Sequence, residues 1–129
     1  MEFSDWLISN LQYFGKEDYA TVFTGHSLGG ALAIHGAVDI YLSKFRDNTK
    51  FKVYTFGHPR TGNKEFEEVI RNNVVDAYRV TKWRDQVVHV PPCNTESIFD
   101  SQCATYGIKS YYPFHTLTEV FYTQDWSSY

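Results

Sequence analysis

The sequence is poor in cysteine and has no excess of positive charge. It holds 2 cysteines and 4 prolines in 129 residues, and 12 Lys and Arg residues against 15 Asp and Glu residues give a formal net charge of −3. Because the two signs of charge are interspersed, no basic stripe marks a nucleic-acid-binding face. The longest apolar stretch, near residues 28–38, is too short and too interrupted by glycine to span a bilayer. No linker, repeat or low-complexity tract divides the chain, so residues 1–129 are expected to form a single domain.

The two cysteines, Cys93 and Cys103, flank a polar loop. Two interpretations stay open. A disulfide would close that loop and would favour a secreted or lumenal protein, whereas the alternative is a pair of unlinked thiols. No histidine or further cysteine lies at zinc-ligand spacing from them, so no metal site is predicted.

The segment Gly-His-Ser-Leu-Gly-Gly at residues 25–30 is the most informative part of the chain. A short β-branched and aromatic run precedes it, and apolar residues at helical spacing follow it. A strand that turns sharply into a helix at Ser27 is a nucleophile elbow, which lifts a serine hydroxyl clear of the sheet. Gly25 and Gly29 are expected to be required because side chains there would collide across the turn. The first N–H groups of the helix would face negative charge that develops near Ser27.

An elbow serine needs a histidine base and an orienting acid, which follow it in the order Ser, Asp or Glu, then His. Order along the chain favours His115, with His89 second. For the acid, Asp85 follows a predicted strand at the edge where α/β folds place their chemistry. Two alternatives stay open. Asp85 is interpreted instead as a surface ion-pair partner, or the acid is one of the carboxylates Asp39, Asp47, Asp76 and Asp100.

Four segments, in order along the chain, resemble the C-terminal half of a class 3 lipase, the fungal-type triacylglycerol lipase family of α/β-hydrolases. They are the elbow at 25–33, the turn Phe-Gly-His-Pro-Arg-Thr-Gly-Asn at 56–63, the stretch 78–92 and the stretch 112–122. The resemblance implies Ser27 as nucleophile, Asp85 as acid and His115 as base, with the Leu28 N–H as one oxyanion donor. It implies an architectural role for residues 56–63.

The resemblance also implies a fold and a function. The expected fold is α/β: a partial α/β-hydrolase fold, a mostly parallel sheet with flanking helices whose N-terminal strands are missing. The expected function is serine hydrolysis of lipid or acyl esters through an acyl-enzyme, without a cofactor, with transient contact to a lipid interface. The alternative is a truncated, catalytically impaired lipase-like module that binds or signals.

The elbow strand is normally central in this fold, so its position near the start of this chain leads to a further expectation. Strands are predicted near residues 19–25, 51–57, 75–82 and 104–111. The first of them should pair on one side only, leaving Tyr19, Val22 and Phe23 partly uncovered. An exposed apolar edge of this kind favours self-association.

Overall fold

The fold alternates strands and helices around one parallel sheet. The computed structural model describes residues 3–15, 19–43, 51–74, 76–92 and 113–123. Helices α1 (Phe3–Tyr13), α2 (Leu28–Leu42) and α3 (Lys64–Asn73) accompany strands β1 (Thr21–His26), β2 (Phe51–Phe56), β3 (Asp76–Lys82) and β4 (Thr118–Tyr122). A single turn of 3₁₀ helix spans Val87–His89. The predicted α/β class with flanking helices is confirmed.

The four strands lie in the order β1-β2-β3-β4, and each neighbouring pair is parallel. Parallel neighbours need crossover connections, which α2 supplies between β1 and β2 and α3 between β2 and β3. Asn63 caps α3 through its side-chain oxygen, which accepts a hydrogen bond from the Phe66 amide at 3.0 Å. The carboxyl ends of β1, β2 and β3 therefore meet along one edge of the sheet.

The apolar core lies between the sheet and helices α2 and α3. Alternate residues of each strand face the helices, and Phe51, Val53 and Ile34 are at most 1% exposed. The core consists of Phe23, Ile34, Ala37, Val38, Ile40, Phe51, Val53, Ile70, Val74 and Ala77. Burying each of the larger side chains contributes about 1.5–3 kcal/mol. Helix α2 is apolar on most sides because it packs on β1 and β2 as well as on α1 and α3.

On the opposite face of the sheet, the side chains of the described strands are partly exposed. Val22, Phe56 and Tyr78 are 52%, 45% and 38% exposed, and the rings of Tyr54 and Tyr78 stack with centroids 6.1 Å apart. Among the described residues β1 has a neighbour only in β2, as predicted for the elbow strand. Tyr19 and Val22 are exposed as expected, but Phe23 is only 8% exposed. The expectation for Phe23 is wrong because its side chain points to the face of the sheet that the helices cover. That face stays covered even where β1 has no strand neighbour.

The fourth strand differs from the sequence-based expectation. The predicted strand at 104–111 lies outside the described residues, and the neighbour of β3 is Thr118–Tyr122. Within the described parts of the chain, no helix combines the length and apolarity that crossing a bilayer requires.

Candidate active site

The elbow between β1 and α2 gives Ser27 an unusual backbone. Its φ is 54° and its ψ is −128°, a conformation that L-residues avoid and that marks a strained turn. The Ser27 amide donates to the Phe56 carbonyl at 2.9 Å, which ties the turn to β2. Leu28 is the first residue of α2, so its N–H has no acceptor within the helix. Strand, turn and helix therefore have the arrangement of a nucleophile elbow.

The glycines of the elbow have different roles from those expected. A Cβ at Gly25 would overlap the Gly29 carbonyl and lie 2.7 Å from the Gly30 nitrogen, so Gly25 is required as predicted. At Gly29 the same construction meets no atom within 4 Å, and the predicted collision there is wrong. Gly30 has that role instead, since its Cβ would lie 2.8 Å from the Cβ of His58. The spacing of the motif does not show which glycine packs against a later segment.

Asp85 lies in the segment after β3, which we call the acid loop (residues 83–92). Its Oδ1 accepts a hydrogen bond from the Val87 amide at 2.9 Å. Its Oδ2 lies 2.8 Å from the position that a Cβ would take on Gly57, directly after β2. The carboxylate therefore stands at the carboxyl edge of the sheet, the edge at which Ser27 also lies.

The rival carboxylates have other places. Asp76 is at the amino end of β3, where it binds Lys52 at 2.9 Å and accepts from the Tyr54 hydroxyl at 2.9 Å. The Lys52 and Tyr54 hydrogen bonds lower the pKa of Asp76. Asp39 lies in the interior of α2. Asp47 and Asp100 lie outside the described residues. Of the described candidates, Asp85 alone follows a strand at the edge that carries Ser27.

Half-buried His115 lies against a buried polar cluster on the helical side of the sheet. The cluster comprises Thr55, His58, Arg60, Arg79, Thr81 and Thr116. Thr55 Oγ1 lies 2.6 Å from His58 Nδ1, and the His58 and His115 rings are 6.4 Å apart. Glu119 adds the one carboxylate of this group, 2.9 Å from Arg79 Nη1.

The structure does not bring His115 to Ser27 and Asp85 as a hydrogen-bonded triad. His115 Nδ1 is buried without a hydrogen-bond partner. Burial, together with the charges of Arg79 and Arg60, lowers the pKa of His115 to about 2. A general base works best with a pKa near the working pH, and a partner carboxylate would raise this one. His115 is held in this position because its neighbour Phe114 exchanges backbone hydrogen bonds with Thr61 and Gly62.

Two other histidines lie at the carboxyl edge. His26 Nε2 is 3.8 Å from the Cβ position of Gly57, the same point that Asp85 Oδ2 approaches. The two side chains are thus at most about 6.6 Å apart, the sum of 3.8 and 2.8 Å. His89 ends the 3₁₀ turn of the acid loop and is exposed.

Sequence reasoning missed the contact that Gly57 makes with the acid loop. The turn at 56–63 was interpreted as architecture alone, yet Gly57 has a φ of 56° and adjoins the Asp85 carboxylate. Its position directly after β2 was the available signal, because the carboxyl ends of parallel strands are where α/β folds bind ligands.

Cys93 and Cys103 both lie outside the described residues, so their pairing stays a prediction. Mass spectrometry without reductant decides it, since two alkylatable thiols would contradict the bond. Among the residues that the structure does describe, no group of three or more His, Cys, Asp or Glu side chains is arranged to hold a metal ion.

An apolar groove of about 710 Å³ runs along the edge of β1 that has no strand neighbour among the described residues. Its lining includes Trp6 and Leu7 of α1, Val22 of β1, and Gly29 and Leu32 of α2. The missing side chain at Gly29 therefore leaves the groove open toward the elbow.

Comparison with known proteins agrees with this geometry. The family described as Lipase (class 3) matches residues 5–95. The chain is 45% identical over 76 residues to the lipase ZK262.3 of Caenorhabditis elegans, covering 59% of this chain and 22% of the relative. It is 45% identical over 71 residues to the secreted mono- and diacylglycerol lipase 1 of Fusarium solani, covering 55% and 20%.

Solved structures give the same result. The lipase of Rhizopus microsporus var. chinensis matches with a TM-score of 0.60 and 35% identity, covering 67% of this chain and 31% of that one. A triacylglycerol lipase described as having a serine protease triad as its catalytic centre matches with a TM-score of 0.61 and 31% identity, covering 69% and 33%. The chain spans about a fifth of the length of these curated relatives and about a third of these structures. With a family match over residues 5–95 and the elbow in place, the chain belongs to the class 3 lipase family of α/β-hydrolases.

Proposed function

We propose that this chain carries the nucleophile and the orienting acid of a serine hydrolase that cleaves lipid esters. The observation that carries the proposal is the positive-φ backbone of Ser27 at the junction of β1 and α2. A strained, non-glycine residue at such a turn persists only where the surrounding structure enforces it, and such residues cluster at active sites. The named relatives are lipases, which supports lipid esters as the substrate class.

In the proposed reaction the Ser27 hydroxyl attacks the ester carbonyl while a histidine takes its proton. The tetrahedral oxyanion lies against the Leu28 N–H. The alcohol leaves with a proton from the imidazolium, and water then cleaves the acyl-enzyme by the same steps. Asp85 holds the imidazole in the productive tautomer. Leu28 supplies one oxyanion donor, and the lack of a second would cost on the order of 100- to 1,000-fold in rate.

The identity of the base is the open element. His115 is the base that chain order and the family resemblance predict, and for this role its Nδ1, which has no hydrogen-bond partner in the structure, has to meet the Asp85 carboxylate. His89 is the alternative that order also allows. His26 is a third candidate, because its Nε2 and the Asp85 carboxylate approach the same point beside Gly57.

The first experiment tests the nucleophile. Ser27→Ala is compared with Ser43→Ala, whose hydroxyl only bonds the Ile40 carbonyl at the end of α2. We expect Ser27→Ala to abolish hydrolysis of nitrophenyl butyrate and labelling by a fluorophosphonate, and Ser43→Ala to retain both. Labelling that survives Ser27→Ala would refute the assignment. A folded wild-type chain that neither hydrolyses esters nor reacts with the phosphonate would favour the non-catalytic binding or signalling module.

The second experiment assigns the base. His26, His89 and His115 are each replaced by alanine, and the rate of phosphonate labelling is measured along with the melting temperature. Loss of the base should lower the rate by several orders of magnitude in a chain that is still folded. A loss confined to His115→Ala would confirm the predicted triad. Full labelling in all three variants would show that none of these three histidines is the base.

The proposal also covers where the protein works. One relative is named a secreted lipase, and together with the two cysteines this supports a secreted or lumenal location. We expect the protein to meet its substrate at a lipid interface, which sedimentation with vesicles or oil droplets would test.

A further inference from the structure

One residue binds three consecutive carbonyls of the acid loop. The Arg60 amide donates to the Val90 carbonyl at 2.8 Å. The Nη1 of the same residue donates to the carbonyls of His89 and Pro91, the latter at 2.9 Å. Arg60 is only 6% exposed, so the donor side of these part-buried bonds is covered, and its amide and side chain hold one short piece of backbone from two directions.

The near half of the acid loop is held differently. The Trp83 amide donates to the Tyr122 carbonyl at 2.9 Å, which ties the loop to β4. The Asp85 amide donates to the Lys82 carbonyl at 3.0 Å, and the Asp85 Oδ1 accepts from the Val87 amide. These bonds close the turn around Asp85. In the described part of the chain, residues 89–91 are connected to the segment after β2 by Arg60.

The segment 57–60 touches the acid loop at both of its ends. Gly57 lies against the Asp85 carboxylate, and Arg60, three residues later, binds carbonyls 89–91. Pro59, between Gly57 and Arg60, has a fixed φ, which limits the conformations that the segment can adopt. The distance between the Asp85 turn and β2 is thereby set from one short segment that follows β2.

The charge of Arg60 is matched to main-chain oxygens. Among the described residues no carboxylate pairs with its guanidinium, and burial together with the charge of Arg79 lowers its pKa. The loop carbonyls therefore supply its compensation through charge-assisted hydrogen bonds. A planar guanidinium donates in fixed directions, which a lysine ammonium does not reproduce.

We propose that Arg60 is a positioning residue that holds the acid loop, and through it the Asp85 carboxylate, at the carboxyl edge of the sheet. The proposal rests on the proposed function, since it takes Asp85 as the orienting acid. It assigns to the turn at 56–63 a part in the chemistry through the loop that it holds.

The test compares Arg60→Lys with Arg79→Lys in the protein as it is naturally expressed. Arg79 is the matched control, because it is also a buried arginine of the same cluster with an unpartnered Nε, but it pairs with Glu119. Below both melting temperatures, we expect Arg60→Lys to lower kcat by about 10- to 100-fold, as misplacements of about 1 Å do. Arg79→Lys should stay within about threefold of wild type. Equal losses in the two variants would overturn the proposal.

Arg60→Lys is then combined with Asp85→Asn in a double variant. Asp85→Asn alone should lower kcat by about 10⁴-fold, and Arg60→Lys should cause no further loss, because no carboxylate remains to be positioned. A second full loss would show that Arg60 acts on general stability, and the proposal would fail. Should Arg60→Lys not fold, Arg60→Gln, which keeps an N–H donor, takes its place.

Hydrogen exchange separates this proposal from the proposed function. The amides of residues 87–90 should exchange faster in Arg60→Lys than in Arg79→Lys, whether or not the protein hydrolyses an ester. If Asp85→Asn keeps full activity, the acid assignment fails while the exchange result still decides whether Arg60 holds the loop. Unchanged exchange of these amides would refute the holding role itself.

Discussion

Gly57→Ala is the sharpest perturbation of the acid position that the structure offers. Gly57 follows β2 with a φ of 56°, and its missing side chain leaves the space beside the Asp85 carboxylate. An added Cβ would lie 2.8 Å from Asp85 Oδ2. Since ordinary van der Waals contact begins near 3.4 Å, the oxygen has to retreat by about 0.6 Å, the difference of 3.4 and 2.8 Å.

The expected loss of stability in Gly57→Ala has two parts. A non-glycine residue at positive φ costs about 1–2 kcal/mol, and the crowding against Asp85 adds about 1–3 kcal/mol. The activity loss follows from the displaced carboxylate. A retreat of this size, smaller than the 1 Å that costs about 100-fold, should lower kcat by about 10-fold or more.

Gly15→Ala provides the matched control. Gly15 has a φ of 61° and no atom within 4 Å of its Cβ position, so the substitution carries the backbone cost alone. Urea denaturation gives the stability of each variant, and hydrolysis of nitrophenyl butyrate gives kcat. The stability measurement is repeated with Asp85→Ala, in which Gly57→Ala should cost no more than Gly15→Ala. Equal kcat values for the two glycine variants, or a crowding cost that persists without Asp85, would refute the reasoning.

Three further predictions concern stability and association. Gly29→Ala should stabilise α2 by about 0.5–1 kcal/mol, whereas Gly30→Ala should destabilise the chain by about 1–3 kcal/mol because of the His58 contact. Thermal melts compare the two variants, and equal melting temperatures would contradict the packing of Gly30 against His58. Burial lowers the pKa of His58 to about 4 from an ordinary 6.5, so the unfolded state binds more protons between these values. The contribution of His58 to stability should therefore be fully present above pH 6.5 and fall by about 1.4 kcal/mol per pH unit toward pH 4, and His115 adds a fall in the same direction. Urea melts should find the total slope shallower in His58→Gln. The open edge of β1 should cause self-association, which Val22→Lys should reduce in light scattering and Val120→Lys, on the far strand, should reduce less.

Local patterns in the sequence were enough to predict most of the fold. The strands near residues 51–57 and 75–82 are encoded by short runs of apolar residues within a few positions of each other. Ser27 was predictable for the same reason, because an elbow is a strand, a turn and a helix in direct succession. The family and fold inferred from the four motifs are confirmed.

The errors arose from contacts between distant segments, while the choice of base stays a prediction. The sequence does not show the backbone bonds of Phe114 to Thr61 and Gly62, which place the adjacent His115 beside the buried polar cluster. The elbow motif did not distinguish Gly29 from Gly30, because the neighbour that decides is His58, on the turn after β2. Phe23 was placed by strand position alone, although α2 covers its face of the sheet.

The backbone of Ser27 has a consequence for how this position evolves. Its positive φ costs about 1–3 kcal/mol for any residue with a side chain, whereas glycine adopts the conformation freely. Selection for folding alone therefore pushes the position toward glycine, and only a use for the hydroxyl opposes that drift. Among related sequences that have lost ester hydrolysis, glycine at this position is the expected substitution. A serine kept there against its own backbone preference distinguishes the sequences that still use it.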